Sequence, residues 1–130
     1  MIAVAPEALR TILLVDHGSR REEANAQIDA VAQALRRRAG GARVRIAHLE
    51  LAEPSIGDAI DACAAEGVTE IVLVPWFLGP GRHTSRDIPE QAAAAARRHA
   101  GLRLRIADPL GLHEKLVDVV LERADRARDL

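Results

Sequence analysis

The sequence predicts an α/β fold: a single βαβαβαβα domain over residues 1–130, with a four-stranded parallel sheet in the order 2-1-3-4 flanked by helices. Two apolar runs without alternation, TILLVD at 11–16 and EIVLVP at 70–75, are typical of central strands buried on both faces. The segments ARVRIAHL from 42 and LRLRIA from 102 alternate between arginine and apolar residues, which favours edge strands. Helical patterns separate the four strands, and right-handed crossovers between them give the predicted order.

The first two helices have clear ends. Gly40 and Gly41 end the first helix, whose predicted inner face is Ala24, Ile28, Val31, Ala32 and Leu35. Ser55 with Asp58 resembles a capping box that starts the second helix, and Gly67 ends it. Its predicted inner face is Ile56, Ala59, Ile60 and Cys63.

The third and fourth helices follow the two later strands. We expect the third to begin at Asp87 with Glu90, since Pro89 is tolerated in a first turn, and to be closed by Gly101. The fourth runs from about Leu112. Its predicted inward residues are Leu116, Val119, Val120 and Leu121.

Composition limits the classes of function. A single cysteine, Cys63, excludes an intrachain disulfide and any multi-cysteine zinc site. No apolar stretch approaches the roughly 20 residues of a membrane span, and a formal charge of −1 argues against a dedicated nucleic-acid binder. The first residues lack the basic start and apolar run of a signal peptide. We therefore expect a cytoplasmic protein whose partner is a small molecule.

Three chemically active side chains follow neighbouring strands. His17 comes directly after the first strand, Glu50 after the second, and His83 in the loop after the third. The carboxyl ends of parallel strands meet at one edge, and the switch point of such a sheet binds ligands. Two imidazoles and a carboxylate suit an open site for a divalent transition metal. Glu53 is a competing carboxylate, although Pro54 and Ser55 place it in the lead-in of a helix.

Other residues near this edge have weaker claims. His48, His99 and His113 are assigned mainly to structure, with His113 alone near enough to a strand end to reach the site. Gly79, Pro80 and Gly81 suggest either a loop that opens for a bulky ligand or a plain turn. The arginines that border the crevice and suit substrate carboxylates are Arg20, Arg82 and Arg86.

Three segments carry a resemblance to a known family: LLVDHGSRREEAN, HLELAEPSI and VPWFLGPGRHTSRDIPE. They resemble the short form of the sirohydrochlorin cobaltochelatases of the CbiX type and their ferrochelatase relatives, over nearly the whole chain. HGSR alone is weakly specific, whereas FLGPGRH followed by DIP after a strand is highly specific.

The resemblance implies a chelatase fold and an enzyme that inserts Co²⁺, Fe²⁺ or Ni²⁺, as substrate, into sirohydrochlorin without an organic cofactor. It implies that His17 and His83 bind the metal and that Glu50 assists catalysis. It also implies a homodimer, since longer relatives carry two such domains. The predicted substrate-binding residues are Ser19, Arg20, Phe77, Leu78, Gly81, Arg82 and Arg86.

Two other functions use similar residues. A histidine phosphohydrolase also places a histidine after its first strand, but its preceding arginine is Asp16 here. A carrier of metal or tetrapyrrole would use the same side chains without turnover.

Overall fold

The computed structural model describes residues 10–40, 42–81 and 84–130, in which four strands alternate with four helices. The strands are β1 (Arg10–Asp16), β2 (Arg43–His48), β3 (Glu70–Pro75) and β4 (Arg103–Ile106). The helices are α1 (Glu22–Arg38), α2 (Ile56–Ala65), α3 (Thr84–Ala96) and α4 (Glu114–Asp125). All strand pairs are parallel and the order is β2-β1-β3-β4, which confirms the predicted topology.

The two apolar runs form the centre of the sheet. Leu13 of β1 pairs with Leu73 of β3, and both side chains are fully buried. The edge strands keep arginines exposed at Arg43, Arg103 and Arg105, as their alternation predicts. The hydrophobic effect therefore orders the strands by how continuously apolar they are.

Helices cover the two faces unequally. α2 and α3 pack together on one face, where Ile60 and Ile88 join Ile71 and Leu73 in the larger core cluster. α1 packs on the opposite face, over β1 and β2, through a smaller cluster that includes Ile28 and Ala32. Ala24, predicted to lie in this face of α1, is exposed, because the buried residues of α1 begin one turn later, at Ile28.

The helix boundaries agree with the sequence for α2 and differ for α3. Ser55 Oγ accepts a hydrogen bond from the Asp58 backbone N–H at 3.1 Å, which confirms the predicted cap. α3 begins at Thr84, three residues before the predicted Asp87. The reason is local: Ser85 N–H donates to the Gly81 carbonyl at 3.0 Å, so the helical turn is already formed there. Pro89 consequently lies in the second turn of α3.

The prediction for α4 is wrong in one respect. The helix begins at Glu114, with His113 as its N-cap, but no residue of α4 is buried. Leu116 is half-buried, whereas Val119, Val120 and Leu121 are exposed instead of inward. The physical reason is that α4 leaves the sheet after β4 and lays no face on it.

Within the described residues, no helix is both long and apolar enough to cross a bilayer.

An ion cluster joins α2 to the end of α3. His99 Nε2 lies 2.7 Å from Asp61 Oδ1, and Arg98 donates to both Asp61 oxygens at 2.9 Å. These hydrogen bonds, from His99 first and then Arg98, hold the pKa of Asp61 below its usual value of 3.8. His99 is therefore structural, as predicted.

This cluster predicts an acid dependence of stability. A carboxyl whose folded-state pKa is lowered contributes stability that is present above its unfolded pKa and is lost as pH falls through the folded value. We expect Asp61→Asn to lower the thermal midpoint at neutral pH, and the difference from the unsubstituted chain to shrink below about pH 4. Thermal melts from pH 3 to 7 measure this, with the exposed Asp29→Asn as the control. A difference that stays constant down to pH 3 would contradict the assignment.

Candidate functional site

His17 and Glu50 lie side by side at the carboxyl edge of the sheet. Beyond the ends of β1 and β2 the backbones stay paired, since Leu49 N–H donates to the Asp16 carbonyl at 2.9 Å and Glu50 N–H to the His17 carbonyl at 3.1 Å. This pairing places His17 Nε2 3.0 Å from Glu50 Oε1. The structure thus brings together two of the three side chains that the sequence predicts for a metal site.

This pair is open to solvent. The His17 and Glu50 side chains are 54% and 56% exposed. Phe77, which follows β3, presents its ring edge-on to His17, with ring centroids 6.3 Å apart and planes at 81°. An imidazole, a carboxylate and an aromatic ring from three adjacent strand ends therefore face a ligand that arrives from solvent.

Gly18 fixes the approach of the two loops. Its φ of +91° is a conformation that other residues rarely adopt, and a Cβ atom at this position would lie 1.8 Å from the Glu50 carbonyl oxygen. The loop after β1 can contact the loop after β2 only because no side chain stands there. Gly18 had no predicted role, although a glycine next to a candidate ligand residue is a usable sequence signal.

A hydrogen-bonded pair of side chains at the ends of β1 and β2 lies next to the site. His48 Nδ1 lies 2.6 Å from Asp16 Oδ1, and His48 is only 3% exposed. The backbone N–H of His48 donates to the Pro54 carbonyl at 2.9 Å, which ties the segment after Glu50 back to β2. His48 is structural, as predicted, but its partner is the residue that precedes His17.

The predicted substrate-binding residues on the β1 side form an ordered loop. Ser19 N–H donates to Asn25 Oδ1 at 2.9 Å, and Ser19 Oγ accepts from Arg21 N–H at 3.1 Å. The Ser19 hydroxyl therefore organises the start of α1. Arg20, next to it, is exposed.

On the β3 side the predicted residues are more varied. Leu78 is exposed, and the Gly81 carbonyl accepts hydrogen bonds from the first turn of α3. Arg86 is exposed and its Nε lies 3.2 Å from Glu90 Oε1. His83 and Arg82 lie outside the described residues, so a metal site shared by His17 and His83 stays a prediction.

The remaining candidates have other roles or positions. His113 Nδ1 accepts a hydrogen bond from Lys115 N–H at 3.0 Å, so this ring caps α4. Glu53 is exposed, whereas Glu50 is the carboxylate beside His17. Cys63 lies on the buried face of α2, and burial raises the pKa of its thiol. Over 10–40, 42–81 and 84–130, no group of three or more His, Cys, Asp or Glu side chains is arranged to hold a metal ion.

The fold and the site define an α/β protein with an open, histidine-bearing ligand site at the switch point of a parallel sheet. Comparison with known families identifies the family to which this α/β protein belongs. The CbiX family model matches residues 11–127, and the chain belongs to that family.

Individual proteins similar to this chain are sirohydrochlorin chelatases. The chain is 45% identical over 112 residues to the chloroplastic sirohydrochlorin ferrochelatase of Arabidopsis thaliana, covering 86% of this chain and 50% of that protein. It is 32% identical over 123 residues to the sirohydrochlorin cobaltochelatase of Methanosarcina barkeri, covering 89% of this chain and 95% of that protein.

A solved structure is also similar. The sirohydrochlorin chelatase SirB from Bacillus subtilis subspecies spizizenii, in complex with cobalt, superposes with a TM-score of 0.83 and 34% identity. The match covers 90% of this chain and 50% of that one. The chain thus spans about half the length of the plant and Bacillus proteins and nearly all of the archaeal one.

Proposed function

We propose that this chain inserts a divalent metal into sirohydrochlorin. The observation that carries the proposal is the solvent-open contact between His17 Nε2 and Glu50 Oε1, at 3.0 Å, on the ligand-binding edge of a CbiX-family fold. The names of the plant and archaeal relatives and the cobalt complex of SirB support the substrate and the metal.

The chemistry of insertion explains why these two groups lie together. When M²⁺ enters a tetrapyrrole, the two pyrrole nitrogens that bear hydrogen each lose a proton, so the metal replaces two H⁺. A neutral imidazole at His17 binds the cation or accepts one of those protons. The Glu50 carboxylate favours a cation beside it and passes the proton to solvent, to which both side chains are open.

His83 is the proposed second ligand. The sequence places it after β3, whose neighbour in the sheet is β1, the strand that His17 follows. Two imidazole nitrogens with open positions hold a metal less tightly than a closed four-ligand structural site, as transfer to a substrate requires. Co²⁺, Fe²⁺ and Ni²⁺ all accept imidazole, and each is proposed as a substrate. No organic cofactor is proposed.

The substrate is rich in carboxylates and flat. Arg20, Arg82 and Arg86 are proposed to bind its carboxylates, while Ser19, Phe77, Leu78 and Gly81 form the edge against which the macrocycle lies. One 14.0 kDa domain supplies only one wall for such a ligand, so we propose a homodimer. A cytoplasmic location is proposed because the single cysteine, Cys63, is unpaired and buried.

An anaerobic assay tests this function. Purified protein is mixed with an excess of sirohydrochlorin and with Co²⁺, Fe²⁺ or Ni²⁺, and the absorbance of the metallated product is followed. We expect many turnovers per chain with at least one metal. A signal that stops at one equivalent per chain indicates a carrier, and no rate above the protein-free reaction with any of the three metals contradicts the proposal.

The phosphohydrolase alternative has a structural argument against it. The position before His17 that such an enzyme fills with a phosphate-binding arginine holds Asp16, whose carboxylate is bonded to buried His48. An anion at that position repels phosphate. We expect no hydrolysis of a phosphomonoester by the same preparation.

A further inference from the structure

The loop that carries His17 is held by side chains at both of its ends. We call residues 17–19 the His17 loop. At one end is Asp16, the last residue of β1, whose register partner in β2 is His48. At the other end is Asn25, near the start of α1. The proposed mechanism uses none of these three side chains.

Asp16 and His48 form the last register pair between β1 and β2. Asp16 Oδ1 lies 2.6 Å from His48 Nδ1, and the His48 side chain is only 3% exposed. A carboxylate accepts hydrogen bonds and does not donate them, so Nδ1 of the ring carries the hydrogen. His48 also lies against the His17 loop, since a Cβ atom built on Gly18 would lie 3.2 Å from His48 Cβ.

Stability alone does not require a polar pair at this position. Burial of an imidazole costs free energy unless the ring is hydrogen-bonded, and two apolar side chains of similar size often hold strands together as well. A hydrogen bond differs from an apolar contact because it fixes direction as well as distance. The pair of Asp16 and His48 therefore sets the direction of the backbone where β1 ends and His17 begins.

Asn25 holds the other end of the His17 loop through both polar atoms of its amide. Its Oδ1 accepts a hydrogen bond from the Ser19 backbone N–H at 2.9 Å, and its Nδ2 donates to the Ser19 carbonyl at 2.7 Å. These two bonds fix the peptide groups before and after Ser19. Because Ser19 precedes α1, the Asn25 amide holds the loop and does not cap the helix.

We propose that Asp16, His48 and Asn25 are positioning residues for His17. The His17 side chain is 54% exposed, so packing restricts the imidazole little, and its direction depends on the backbone that carries it. The three side chains hold that backbone at both ends, so that the imidazole is directed at the metal before the metal arrives. The inference rests on the metal-binding role that the proposed function gives to His17.

Support of this kind acts on the capture of metal. A loop that loses one support samples several conformations, and only a fraction of them places the imidazole correctly. The apparent dissociation constant of the metal rises by the inverse of that fraction, so a loss of about nine tenths of the competent population raises it about tenfold. Bound metal selects the competent conformation, so the rate at saturating metal is nearly restored.

Insertion rates at increasing metal concentration and saturating sirohydrochlorin test the proposal. With the metal that the unsubstituted chain inserts fastest, we expect Asn25→Ala and Asp16→Leu to raise KM for the metal about tenfold and to change kcat by less than about twofold. A substitution that only unfolded part of the protein would lower kcat and leave KM unchanged. Unchanged KM in both variants overturns the proposal.

A conservative variant tests the hydrogen bond itself. Asp16→Asn keeps a side-chain oxygen that accepts from the His48 Nδ1–H, whereas Asp16→Leu does not. We expect Asp16→Asn to restore most of the KM that Asp16→Leu loses. A KM for Asp16→Asn as high as that for Asp16→Leu contradicts a positioning role for the pair.

The chain offers a matched control for each support. Asp61 also binds a histidine, His99 at 2.7 Å, but this pair joins α2 to the end of α3, so Asp61→Leu is the control for Asp16→Leu. Gln27→Ala removes an exposed amide from the same helix as Asn25. Both controls are expected to keep the KM of the unsubstituted chain. A rise in KM for Asp61→Leu equal to that for Asp16→Leu assigns the effect to lost stability and overturns the proposal.

Backbone dynamics test the supports even if Asp16→Leu fails to fold. Order parameters of the Gly18 and Ser19 amides are measured by ¹⁵N relaxation without metal or tetrapyrrole. We expect about 0.85 in the unsubstituted chain and in Gln27→Ala, and less than about 0.6 in Asn25→Ala. Equal values in Asn25→Ala and the unsubstituted chain overturn the proposal, as does an unsubstituted chain whose values are already below about 0.6.

These measurements separate the supports of the loop from the proposed function. A chain that inserts no metal, yet loosens at Gly18 and Ser19 in Asn25→Ala, loses the proposed activity, while the supports of the His17 loop stand. A chain that inserts metal with the same KM in every variant keeps the activity and loses the positioning residues.

Discussion

Replacing His17 with alanine is expected to lower the rate of metal insertion by about 10²- to 10⁴-fold, the usual contribution of a positioned base or ligand. An imidazole can both bind a transition metal and accept a pyrrole proton, and alanine can do neither. The fold is expected to survive, because the His17 side chain is 54% exposed and its contacts are with Glu50 and Phe77.

Initial rates measured anaerobically with each metal check this prediction, alongside circular dichroism and a thermal melt. His113→Asn is the matched control, since it removes another exposed imidazole while asparagine still caps α4. We expect His83→Ala to be impaired as strongly as His17→Ala. Normal rates from both alanine variants would rule out the proposed metal site.

The contact between His17 and Glu50 can be tested as a pair. A solvent-exposed contact of this kind contributes only about 0–1 kcal/mol to stability even when both groups are charged, so Glu50→Gln should barely move the thermal midpoint. If the carboxylate assists insertion, the same variant slows the reaction, and its effect largely disappears in a His17→Ala background. Equal slowing by Glu50→Gln in both backgrounds would mean that the two side chains act independently.

Continuous apolar runs made the sheet predictable. Residues 12–15 of β1 and 71–75 of β3 are apolar without interruption, and that property alone assigned the two strands to the centre. Ser55 was recognisable as a cap because its hydroxyl needs only a backbone N–H three residues away, which is local information. The edge that carries His17 and Glu50 followed from the topology.

The features that the sequence did not predict depend on contacts between residues far apart in the chain. The apolar residues of α4 show that the helix has an apolar face, but not whether the same chain or another covers it. Gly18 was missed because its requirement comes from the Glu50 carbonyl, 32 positions away in the chain and in contact only after β1 and β2 pair. The bond between His48 and Asp16 depends on the same pairing.

Gly18→Ala is expected to reduce metal insertion by about 100-fold or more. A Cβ atom would lie 1.8 Å from the Glu50 carbonyl oxygen, which is backbone and cannot rotate away, so the loops after β1 and β2 must separate by more than 1 Å. His17 and Glu50 belong to those loops, and a displacement of about 1 Å in a catalytic group costs about 10²-fold in rate. The effect therefore reaches the site without removal of any functional side chain.

Gly67→Ala separates this clash from backbone strain. Gly67 also has a positive φ, of +85°, but a Cβ atom there meets nothing within 4 Å, and the residue lies between α2 and β3, where β3 begins rather than at its carboxyl end. Strain alone should cost about 1 kcal/mol of stability and leave insertion unchanged. The insertion rates of both variants are measured well below the melting range, and their thermal midpoints are measured separately. The two quantities together distinguish the clash from backbone strain. Equal activity in Gly18→Ala and Gly67→Ala would show that the close approach of Gly18 to Glu50 does not position the site.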